Sequence, residues 1–126
     1  MLVKIRHNVF ETNSSSVHTL CIADPGDYTD WYDGKPNIVY DMYDNKLVTA
    51  EEAKANDDDF PYTVAHNEGK GYWDSCFIYY DKNGEEMYDP RYVTYEQYED
   101  ETSFYSHFDQ ETPDGQWVAF GYYGHD

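Results

Sequence analysis

The chain contains no apolar run approaching the ~18 residues that a membrane-spanning helix requires, and the expectation is a soluble, cytoplasmic protein. Cysteine is scarce. Cys21 and Cys76 show neither CxxC nor Cys/His ligand spacing and sit in apolar stretches, so buried reduced thiols are expected rather than a disulfide. His7, His18, His66, His107 and His125 are scattered without HxH or HExxH spacing, which leaves no zinc motif. GxSxG and SxxK are both missing, so no complete nucleophile motif points to catalysis. No catalytic residue, metal or cofactor is assigned. The largest deficit is in positive charge: eight Lys and Arg stand against 26 Asp and Glu, for a net charge of −18. Direct nucleic-acid binding relies on Lys and Arg to neutralise phosphates, so that function is excluded.

Aromatic residues are abundant, with fifteen Tyr, six Phe and three Trp. Acidic disordered segments lack such residues, so this chain is expected to fold, and its 126 residues fit a single domain over 1–126. Tyrosine suits an acidic protein because its ring packs while its hydroxyl stays at the wet edge. The charge is divided unevenly. Residues 2–22 carry Lys4, Arg6 and Glu11, whereas residues 24–126 carry a net −19 and contain no Lys or Arg after Arg91.

Alternating apolar and polar positions predict a strand over residues 2–10 and a second over 16–22, joined by a polar loop. Asp24-Pro25-Gly26-Asp27 reads as a turn, and 28–35 as a loop holding Trp31 and Tyr32. Strands are expected over 37–43 and 47–48, around a turn at Asp44-Asn45. Thr49 and Glu52 form a capping box that opens a helix of about two turns ending near Asn56, with Asp57, Asp58 and Asp59 turned out into solvent beyond it. Residues 72–80 are the richest β-forming run and predict a central strand. The segment 81–84 predicts a hairpin turn, and 85–88 the returning strand. Asp81 to Glu85 begins like a calcium loop, but its glycine comes two positions early. Thr94 and Gln97 cap a second helix whose face carries Tyr95, Tyr98, Thr102, Tyr105 and Phe108, and 116–123 alternates as a last strand. Residues 38–51 and 77–96 echo each other as strand, turn, return and capped helix. The expected class is α+β: a mostly antiparallel sheet of about five to seven strands with two short helices.

Two sets of residues are candidates for function. The first is acidic: Glu96, Glu99, Asp100, Glu101, Asp109, Glu111 and Asp114, with Asp57, Asp58 and Asp59. A compact chain of this length has a diameter of ~36 Å, and duplex DNA of that length carries about 21 phosphate charges. The protein's −18 is comparable, which points to a partner protein with a basic nucleic-acid channel. The bland alternative is that the charge only keeps an aromatic-rich chain in solution. The second set is the hydroxyl-rich loop Asn13, Ser14, Ser15 and Ser16 with His18, which fits a turn, or a site for a small molecule or nucleotide with enzymatic chemistry as one option.

Val9-Phe-Glu-Thr-Asn-Ser-Ser-Ser-Val-His18 resembles an N-terminal signature of uncharacterised proteins encoded by phages and prophages. In composition, the acidic body resembles phage DNA mimics of the anti-restriction and anti-CRISPR kind. The resemblance implies an inhibitor acting inside a host cell on a basic nuclease, with no membrane and no cofactor. A structural or accessory phage protein is the third option.

Overall fold

In the computed structural model, the described residues are 16–66, 77–103 and 105–125. The strand expected over 2–10, the loop through Ser15, and Cys76 lie outside them. The class is α+β, as expected, but among the described residues three small antiparallel sheets replace the single sheet and three helices replace two.

The first sheet is built on its last strand. β1 (Ser16–His18) and β2 (Cys21–Ala23) pair antiparallel with β10 (Val118–His125), His18 facing Tyr123 and Cys21 facing Phe120. The register is the same in both, and Thr19 N donates to Tyr122 O at 2.9 Å between them. The two are therefore one strand with a gap in its ladder, much as expected for 16–22. The other edge of β10 takes β9 (Ser106–Glu111) in six pairs, from Val118 opposite Glu111 to Tyr123 opposite Ser106.

β3 (Ile38–Asp41) lies at the centre of the second sheet, between β4 (Lys46–Thr49) and β8 (Tyr92–Val93). The chain turns between β3 and β4 with Asn45 at φ 55°, a left-handed conformation that Asn tolerates. β5 (Thr63–His66), β6 (Phe77–Tyr80) and β7 (Glu86–Met87) make the third sheet, and β6 is its central strand. The echo between the two halves has a structural counterpart, though not as two ββα units. β4 and β8 both lead into capped helices, yet both pair with β3, and β8 does not return along β6.

α1 (Pro25–Tyr32) occupies the segment expected to be a turn and loop. Asp24 is its N-cap, accepting from Gly26 N and Asp27 N at 2.8 and 3.2 Å, and Pro25 supplies a φ already suited to the first turn. The helix delivers Trp31 to the main core. Trp31 is 1 % exposed, meets the rings of Tyr40, Tyr95, Tyr98 and Phe120 at centroid distances of 5.0 to 5.5 Å, and donates from Nε1 to Val93 O. Cys21 is a free thiol buried in the same cluster, where desolvation pushes its pKa up to about 11. A smaller core of Val39, Val48, Ala53 and Tyr92 lies under α2 (Ala50–Asn56), which Thr49 caps by accepting from Glu52 N.

α3 (Tyr95–Glu101) opens with a complete capping box: Thr94 accepts from Gln97 N, and Gln97 accepts from Thr94 N. It ends earlier than its aromatic spacing suggests. Thr102 Oγ1 donates to Tyr98 O at 2.6 Å, and from Ser106 the chain is a strand, so Phe108 lies on β9 rather than on the helix face. The six-residue ladder with β10 satisfies backbone groups that a longer helix would have left to the sheet edge.

Candidate functional site

The site expected from charge lies on α3 and β9. Positions three and four apart share a helix face, and Glu96, Glu99 and Asp100 line one open groove with Ser103, Tyr105, His66, Phe77 and His107. Asp100 Oδ2 accepts from Phe77 N at 3.3 Å, which ties the acidic helix to β6. Glu99 accepts from Tyr95 OH at 3.3 Å. The Glu101 carboxyl is raised above its ordinary value by desolvation and then by the neighbouring charges of Asp100 and Asp89. Asp89 is a member that sequence reasoning missed, because it reaches the cluster from the segment before β8.

On β9, His107, Asp109 and Glu111 alternate onto one face, opposite Tyr122, Phe120 and Val118. Asp109 accepts from Tyr28 OH at 2.6 Å and lines a small cleft of about 180 Å³ with Tyr95 and His107. Desolvation lowers the His107 pKa, opposed by the Glu99 charge. Its Nε2 lies 2.6 Å from Thr102 Oγ1. That hydroxyl spends its proton on Tyr98 O, so His107 Nε2 carries the hydrogen it donates there. Tyr95 and His107 thus join the carboxylates of α3 to Asp109.

The other candidate carboxylates are held separately. Asp57 accepts from Tyr62 OH and Asp59 N at 2.7 and 3.0 Å, and Asp59 accepts from Lys82 N. Both serve the packing after α2 instead of turning wholly into solvent, while Asp58 is exposed. Asp114 accepts from Gln116 N and Thr112 Oγ1, which lower its pKa in that order. Asn13, Ser14 and Ser15 lie outside the described residues, and Ser16 and His18 lie on β1 opposite His125 and Tyr123.

Among the described residues, no ion pair supplies counter-charge to the face. The ion pairs among the described residues are Lys35–Asp30, Arg91–Asp41 and Arg91–Asp44, so none involves α3 or β9. Arg91, the last cation in the chain, is fully engaged elsewhere: Nε and Nη2 each donate to Asp41 at 3.0 Å, and its guanidinium lies over the rings of Tyr43 and Tyr92. Among the described residues, no group of three or more His, Cys, Asp or Glu is placed to hold a metal ion. The carboxylates run along a surface; they do not converge on a point.

The fold and this face define an α+β protein whose acidic surface on α3 and β9 has no ion pair among the described residues. No family model matches the chain, and neither a curated protein nor a solved structure does. No helix among the described residues is long and apolar enough to cross a membrane.

Proposed function

We propose that this protein is a small phage-type inhibitor that binds a basic nucleic-acid-binding protein of the host, of the restriction or CRISPR nuclease class, partly by presenting carboxylates in place of DNA phosphates. The observation that carries the reading is the C-terminal turn of α3. Glu99, Asp100 and Glu101 crowd the negative end of the helix dipole with no basic residue in the last turn and no ion pair among the described residues. α2 follows the opposite rule, with Glu51 and Glu52 in its first turn and Lys54 in its last. Charge on α3 therefore sits where helix stability disfavours it, as a surface shaped by a partner would.

The mechanism is competitive occlusion in the host cytoplasm, with no chemical step. The field of −18 speeds encounter with a basic channel, and Tyr95 and Tyr32, whose rings are 4.6 Å apart beside Glu99, supply contact area of low conformational entropy. Purified restriction and CRISPR nucleases, assayed for DNA cleavage at low and high salt, provide the test. Inhibition is expected to weaken with salt and to be competed by duplex DNA. The triple variant Glu96→Lys, Glu99→Lys, Glu101→Lys spares Asp100 and its bond to Phe77, and it is expected to lose inhibition. Unchanged affinity in that variant at low salt would overturn the proposal.

A further inference from the structure

On the side of the chain bearing α2, the charge pattern reverses. A cleft of about 440 Å³ opens between β3, β5, α2 and the start of α3, within the size range of small-molecule sites. Its walls are mainly apolar, including Pro36, Val39, Phe60 and Val64. Val39 is 3 % exposed and belongs to the smaller core, with Phe60 packed against it, so the floor is built from fixed parts of the fold. Two of the five cations among the described residues, Lys35 and Lys54, line the cleft, and Glu51 is its only carboxylate. Lys35 is paired with Asp30 at 3.4 Å, whereas Lys54 has no ion pair among the described residues. The lining side chains sum to +1, or to zero with Asp30 counted, in a molecule that is −18 overall.

We infer that this cleft binds a small molecule with an apolar body and a single anionic head, of the class of medium-chain or aromatic carboxylates, with Lys54 as the head-group partner. The apolar walls supply transfer free energy to the body. Lys35 and Lys54 give an anion local partners in a molecule that is otherwise strongly acidic. Elsewhere the protein's own field repels anions, so carboxylate binding here is selective by location. The site shares no lining residue with the acidic groove, and the two readings stand or fall separately.

The test is calorimetric titration of the full chain with decanoate and with decanol, alongside methyl NMR of the valines. Saturable one-to-one decanoate binding is expected, with the largest shifts at Val39 and Val64, which line the cleft, and smaller ones at Val118, which does not. Decanol should bind more weakly. Lys54→Ala, at an exposed position, should weaken decanoate by about fivefold, the factor for one surface ion pair. Val64→Trp, on an exposed strand position, should block the cleft while leaving the thermal midpoint near that of the wild type. The inference is overturned if decanoate does not bind, if decanol binds equally well, or if neither variant alters decanoate affinity.

Discussion

At the scale of single residues, the strongest electrostatic contact is the one between Arg91 and Asp41. Asp41 is 2 % exposed, and it accepts from Tyr43 N and Asp44 N as well as from two nitrogens of Arg91. Burial alone would raise its pKa, but the guanidinium and the two amides outweigh it and hold the carboxyl below its ordinary value. A carboxyl with a depressed folded pKa contributes stability above its unfolded pKa of about 3.9 and loses that contribution as pH falls through the folded value. Arg91→Met strips the buried Asp41 carboxylate of its half-exposed cationic partner and is expected to lower stability near neutral pH. Because protonated Asp41 no longer needs the guanidinium, the gap between wild type and variant should persist at neutral pH and shrink as pH falls below the unfolded value of about 3.9 and through the lower folded one. Thermal midpoints of both proteins across that range provide the check. A gap independent of pH would show that Arg91 acts by packing over Tyr43 and Tyr92 instead.

Among the elements, β10 is the longest described strand and, like β3 and β6, pairs on both edges. Gly121 sits where the Thr19 carbonyl crosses closest, and a Cβ there would overlap that oxygen. Gly121→Ala is expected to cost about 2 kcal/mol as an overpacked site, read from urea denaturation. A loss within the experimental error would mean that the β1–β2 gap absorbs the methyl group. Which elements were legible in the sequence follows from how local their signals are. The caps at Thr49 and Thr94 and the turn at Asp81–Gly84 are made by neighbouring residues, and each formed where expected. Asp24-Pro25 fits a turn and a helix start equally well, and burial of Tyr28 and Trp31 in the distant core decided it. The spacing of Tyr105 and Phe108 fits a helix, but pairing with β10 took precedence. Three sheets in place of one could not be read, because β8 finds β3 across some fifty residues of chain. The charge of α3 was visible in its composition, whereas Asp89 and His66 join the face only through folding.

For the molecule as a whole, the question is whether its acidity stabilises the fold or opposes it. Each reversal in Glu96→Lys, Glu99→Lys, Glu101→Lys removes two negative units, so the net charge falls from −18 to −12. Two of the three changes place a cation at the C-terminal turn of α3, where each is worth about 0.3–1 kcal/mol, while Glu96→Lys puts a cation in the first turn and gives back a similar amount. The exposed Tyr95–Glu99 hydrogen bond is lost in exchange. A net gain of about 0.5 kcal/mol is expected, or about 2 °C in thermal midpoint for a chain of this size. Added salt screens the repulsion, so it should raise the wild-type midpoint more than that of the variant and close the gap. If the variant gains stability while losing nuclease inhibition, the carboxylates of α3 are kept against the interest of the fold, and binding is what keeps them. A variant that unfolds more readily than wild type would place the same carboxylates in the architecture, where an acidic helix says nothing about a partner.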